Sequence, residues 1–81
     1  MTPKYKPKTT KAKLAHLVEE AGEVVSAAGK SLRFGLDSVN PDLPRSEQET
    51  NRHWLMREMA DLEAACRAVR KAIDIYGRDV P

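Results

Sequence analysis

One cysteine (Cys66), one tryptophan, one phenylalanine and two tyrosines are spread over 81 residues. A lone thiol excludes an intramolecular disulfide framework, and no alternation of Cys and His offers a structural zinc site. No apolar run approaches the roughly 18 residues that a membrane span requires, and the mean hydropathy is −0.58. Charge of one sign is also missing, since 14 basic residues nearly balance 12 acidic ones. A chain this short buries a modest share of its surface, and it has no disulfide or zinc to compensate. Extra core is therefore expected from other copies of the chain.

Five of the basic residues, Lys4, Lys6, Lys8, Lys11 and Lys13, crowd the first thirteen positions. No apolar stretch follows them, so this end does not read as a secretory signal. A nucleic-acid surface would need a basic face interleaved with aromatic or groove-reading residues, and only Tyr5 is near. The expectation is a flexible basic tail over 1–9 and one helical domain over 10–81, in a reduced cytoplasmic setting.

Two long helical patterns flank one loop. In the first, Leu14, Leu17, Val18, Ala21, Val25, Ala28 and Leu32 form the stripe of an amphipathic helix from about Thr10 to Phe34. Thr9 or Thr10 can cap its start and Gly35 its end. Gly22 and Gly29 lie inside it and imply close helix approach or a crowded site. The loop carries Pro41 and Pro44 among turn-forming residues. Ser46 followed by Glu49 matches a capping box and predicts the start of the second helix, which runs to about Tyr76 and is closed by Gly77 and Pro81. Its apolar set includes Trp54, Leu55, Met59, Leu62, Ala65, Cys66, Val69, Ala72, Ile73 and Tyr76. Trp54, Tyr76, Met56, Met59 and Cys66 read as packing residues. The fold class is all-α: a helical hairpin that assembles into a four-helix bundle through oligomerisation.

The chemistry rests on two short acidic spacings. Glu20 and Glu23 lie in Val18-Glu-Glu-Ala-Gly-Glu-Val24, and Glu58 and Asp61 in Arg57-Glu-Met-Ala-Asp-Leu62. An i, i+3 pair places both carboxylates on one side of a helix. On two facing helices, such pairs supply up to four hard oxygen ligands, which suits Mg²⁺. At about 100° per residue, Glu58 falls inside the apolar arc of its helix and Asp61 at the edge. Glu20 and Glu23 flank the stripe of the first helix, and Glu19 points further towards solvent. A buried carboxylate is normally paired, protonated or metal-bound, so Glu58 is either a site residue or the partner of a base on the facing helix. His16, one turn before Glu20, is placed to donate to a carboxylate. Lys30 and Arg33 are placed either to reach phosphate oxygens or to complement the helix C-terminus. No serine or cysteine has a convincing His/Asp partner for nucleophilic catalysis.

Glu19-Glu20-x-x-Glu23 followed by Glu58-x-x-Asp61 resembles the MazG-like all-α nucleoside triphosphate pyrophosphohydrolases. The stretch Leu17-Val-Glu-Glu-Ala-Gly-Glu-Val-Val-Ser-Ala-Ala-Gly-Lys-Ser-Leu-Arg-Phe-Gly35 is most similar to their short, often phage-encoded members. The resemblance spans roughly Ala12 to Val69. It implies Mg²⁺-dependent hydrolysis of a (d)NTP to the monophosphate and pyrophosphate, with Mn²⁺ a possible substitute, by a homodimer or homotetramer. Carried over, Glu20, Glu23, Glu58 and Asp61 are catalytic and metal-binding and Glu19 is an auxiliary acid; Lys30 and Arg33 stay candidates for the substrate phosphates by their position alone. The long Pro-containing gap between the motifs departs from the family pattern. So does the lack of the extra helix that larger members place beside the base, which leaves base contacts to neighbouring subunits. Two alternatives stand beside this reading. One is phosphoribosyl-ATP pyrophosphatase of the same superfamily; the other is a non-enzymatic helical interaction module whose acids form interhelical salt bridges.

Overall fold

In a computed structural model of the chain, residues 6–79 are described, with side chains to residue 74. Residues 1–5 of the tail expected over 1–9 and the packing of Tyr76 therefore lie outside the described residues, as does Pro81. Helix α1 spans Thr10–Phe34 and helix α2 spans Asn51–Asp79, with a short 3₁₀ turn at Arg45–Glu47 between them. The helices pack against each other as a hairpin, and no described residue belongs to a strand beyond one isolated antiparallel bridge, Val39 with Thr50. No described helix is long and apolar enough to cross a membrane.

The bounds of α1 follow from its caps. The Thr9 hydroxyl accepts the Ala12 N–H at 3.0 Å, and Gly35 ends the helix at φ 97°, donating its N–H to Ser31 O at 2.9 Å. That φ favours a residue without a Cβ. The start of α2 differs from the capping-box expectation. Glu49 does not reach back to Ser46, because its carboxylate is held by Arg57 and His53. Thr50 takes over, its hydroxyl accepting the His53 N–H at 3.1 Å. Helix α2 also continues through Gly77 to Asp79 rather than closing there.

Asn51 fastens the loop to both helices. Its side-chain amide donates to Gly35 O at 2.9 Å and Lys30 O at 3.4 Å, two carbonyls at the end of α1. Its backbone N–H donates to Ser38 O at 2.9 Å, and Arg52 N–H donates to Leu36 O at 2.7 Å. The Ser38 hydroxyl donates to Phe34 O.

The core between the helices is narrow. Its buried apolar residues are Ala27, Ala65, Val69 and Ala72, and no large side chain is fully buried among the described residues. The anticipated stripe of α1 divides in two. Leu17, Ala21 and Ala28 are partly covered, whereas Val18 and Val25 are 73% and 71% exposed and Leu32 is 90% exposed. One partner helix covers only one side of α1, and that side is centred on Ala27. Gly22 and Gly29 meet nothing within 4 Å of an added Cβ, so neither serves a close approach to α2. The molecule is 14 Å across its thinnest dimension. That is a single layer of helix, which leaves two broad faces open.

Candidate metal centre

Midway along the hairpin, Glu20 of α1 meets Glu58 and Asp61 of α2. One oxygen from each carboxylate lies within 4.8 Å of the other two. The helical period explains the convergence: Glu58 and Asp61 share a side of α2, and Glu20 sits on the side of α1 that carries Ala27. Glu58 is buried, as the apolar arc of α2 requires, while Glu20 and Asp61 are half-buried. The residues assigned to the solvent side of α2, Arg57, Glu63, Arg67, Arg70, Lys71 and Asp74, are all exposed.

The carboxylates differ in their partners. Glu20 Oε1 lies 3.2 Å from His16 Nε2, and Glu20 Oε2 is buried with no hydrogen-bond partner. Glu58 Oε1 accepts from Arg57 Nη1 at 2.9 Å. The same guanidinium reaches Glu49 Oε1 through Nη2 at 2.6 Å, and Glu49 Oε2 lies 3.2 Å from His53 Nδ1. The cation beside Glu58 is thus its sequence neighbour on α2, not a base from the facing helix. Neighbouring residues on a helix diverge, but the long arginine stem carries its head group back along the surface.

Burial pushes the Glu58 carboxyl above its ordinary range. Arg57 opposes that shift, while the negative charges of Glu23, Asp61 and Glu20 add to it. Glu49 moves the other way, held below the usual glutamate range chiefly by its hydrogen bond to Arg57. Arg57 is in turn raised by Glu49.

The structure brings together three of the four expected acids. Glu23 is exposed and lies outside the group whose oxygens converge, although its charge reaches Glu58. Glu19 is exposed on α1. Lys30 and Arg33 are exposed and lie over the Phe34 ring, at 5.5 Å and 5.1 Å from its centroid. Arg57 and Glu49, which sequence reasoning placed on the solvent face and in a cap, form the charged flank of the site.

The donor set suits a small hard cation. Three carboxylates from two helices supply oxygen ligands of the type that Mg²⁺ and Mn²⁺ prefer, and the unpartnered Glu20 Oε2 is a buried lone-pair site of the kind a cation satisfies. No protein-family model matches the chain, and no curated protein or solved structure matches it significantly.

Proposed function

We propose that this chain is a Mg²⁺-dependent nucleoside triphosphate pyrophosphohydrolase of the MazG-like type, converting a (d)NTP to the monophosphate and pyrophosphate. The observation that carries the proposal is the convergence of Glu20, Glu58 and Asp61 around one space, with one buried oxygen of Glu20 left without a hydrogen-bond partner. The acidic spacings Glu20-x-x-Glu23 and Glu58-x-x-Asp61 support it, because they resemble the motif of that family.

Glu20, Glu58 and Asp61 would hold the cation, with Mn²⁺ as a substitute, and Glu23 would complete the ligand set from the rim. A bound Mg²⁺ supplies neutralisation of the triphosphate charge and polarisation of the phosphoryl oxygens. The remaining work falls to the chain. A carboxylate oxygen of the cluster that the cation does not occupy, with Glu19 as an auxiliary acid, orients water towards the α-phosphorus, in line with departing pyrophosphate. Lys30 and Arg33 exchange the Phe34 ring for phosphate oxygens, where a guanidinium gives bidentate contact.

A homodimer or homotetramer belongs to the same proposal. Val18, Val25 and Leu32 recur every seven residues on the uncovered side of α1, and Gly22 and Gly29 repeat beside them with open space above. Met59 and Ile73 of α2 are also exposed, at 46% and 51%. Two such faces packed together give the four-helix bundle that the alanine-rich interior of one hairpin cannot replace.

One observation favours the second reading, a helical interaction module: Glu58 has a cationic partner in Arg57. Yet that guanidinium is shared with Glu49 and contacts one oxygen of Glu58. It leaves Glu58 raised above its ordinary range by burial and by three neighbouring acids. Excess negative charge of this kind fits a cation site better than a finished salt bridge. Pyrophosphate release from a panel of standard and modified (d)NTPs, with and without Mg²⁺, tests the proposal. Metal-dependent release of equal amounts of monophosphate and pyrophosphate is expected; no release from any substrate overturns it.

A further inference from the structure

Beyond the acidic cluster, the hairpin forms a solvent-open cavity of about 690 Å³ where the end of α1, the loop and the first turns of α2 meet. That volume lies within the range of small-molecule sites. Phe34 and Trp54, the only phenylalanine and the only tryptophan of the chain, both line it. Trp54 is partly exposed and Phe34 is 52% exposed, so neither ring is consumed by the core. Ser38, Asn40 and Asp42 add polar groups from the loop, and Lys30 stands on the α1 side.

The walls are held in place by hydrogen bonds. Asn51, itself a lining residue, ties α2 to Gly35 O and Lys30 O, and the Val39–Thr50 bridge closes the loop. The Asp42 N–H donates to Asn40 Oδ1 at 3.0 Å, which shapes the turn beside the opening. The cavity also adjoins the acids. Trp54 precedes Glu58 by four residues, about one helical turn or 6 Å. Glu49, another lining residue, is joined to Glu58 through Arg57, at 2.6 Å and 2.9 Å. At about 100° per residue, Phe34 projects from the opposite side of α1 to Val25 and Leu32, so a partner on the apolar face leaves the cavity open.

We propose that this cavity is the nucleobase subsite: a planar heteroaromatic ring stacks against Phe34 and Trp54, with its polar edge towards Ser38, Asn40 and Asp42. The assignment rests on the pyrophosphohydrolase reading for the rest of the substrate, and it places base recognition within one chain rather than on a neighbouring subunit. Aromatic rings stack any base, and loop polar groups add preference among bases.

The test uses nucleosides, which carry the base and sugar without phosphate, titrated into the full chain without divalent cation. The readout is the Trp54 indole N–H resonance, which is unique because the chain has one tryptophan. A saturable shift is expected. Phe34→Ala should weaken binding about tenfold, the order expected for one lost stacking partner, and Phe34→Tyr should restore it. Tripolyphosphate with Mg²⁺ is expected to leave the indole resonance in place. Absence of any nucleoside-dependent shift, or a shift untouched by Phe34→Ala, overturns the subsite even if pyrophosphate is released. A nucleoside shift in a chain that releases no pyrophosphate upholds the subsite and sinks the hydrolase reading instead.

Discussion

The Arg57 guanidinium holds Glu58 at 2.9 Å from the next position on the same helix, so the buried carboxylate of the hairpin carries a cation on its flank. The pair is asymmetric: the Arg57 side chain is 50% exposed and that of Glu58 is 8% exposed. Arg57 therefore acts as a tether at the rim, restraining a charge that the interior disfavours. A divalent cation at the cluster would relieve the same charge from the inner side.

Arg57→Gln should accordingly destabilise the metal-free protein by about 1–2 kcal/mol, the order of a charge-assisted hydrogen bond discounted for solvent screening on the arginine side. The stabilisation gained on adding Mg²⁺ should grow in the variant, because Glu58 then lacks its other cation. Thermal unfolding with and without Mg²⁺ measures both effects. Equal Mg²⁺ stabilisation of wild type and variant would contradict competition for Glu58.

The metal-free protein should also show a pH signature. The folded Glu58 carboxyl is raised, so the native state binds its proton more tightly than the unfolded chain does. Its contribution to stability is present below the ordinary glutamate range and is lost as pH rises through the folded value. Glu49 is lowered and runs oppositely, its contribution being lost as pH falls. Comparison with Glu58→Gln isolates the first term: the variant should gain on the wild type as pH rises from the acid side to neutrality. A melting-temperature difference that does not vary with pH would count against a buried, raised carboxyl.

Self-association is the third expectation. Val25→Asp places a charge on the uncovered side of α1, at a residue that is 71% exposed in the single hairpin. If this face is the seam between copies, the variant should shift from oligomer to monomer in sedimentation and lose stability at low concentration. An unchanged oligomer would move the seam elsewhere.

Asn51 is buried and serves both the fold and the cavity. Asn51→Ala removes two side-chain hydrogen bonds to α1 carbonyls and should cost about 1–3 kcal/mol in urea unfolding. Nucleoside binding should weaken as the loop loosens. A variant as stable as the wild type would show that those carbonyls find other partners.

Helical period alone located much of this architecture. Thr9 and Gly35 bounded α1, and the wheel placed Glu58 inside α2 with Asp61 at its edge. The rest depended on contacts that local patterns do not encode. Ser46 and Glu49 satisfied a capping spacing, but His53 and Arg57, one and two turns further on, took the Glu49 carboxylate, and Thr50 capped the helix instead. Arg57 lies on the exposed side of α2, as its place on the wheel requires, but its long side chain also folds back to Glu58, a contact the wheel does not encode. The apolar stripe of α1 read as one surface, whereas a single partner helix covers only the side that includes Ala27. Trp54 read as core because its spacing is apolar, but the cavity beneath the loop reaches it.

The central claim is that Glu58 works as a cation ligand in phosphoanhydride cleavage. The most direct measurement compares pyrophosphate release by wild type and Glu58→Gln at saturating Mg²⁺, with helical content and oligomeric state checked in both. The account predicts release by the wild type and a loss of at least about 100-fold in the variant, the order seen when a group that holds a catalytic metal or its support is removed, with the helical assembly retained. Release by Glu58→Gln at the wild-type rate would contradict it.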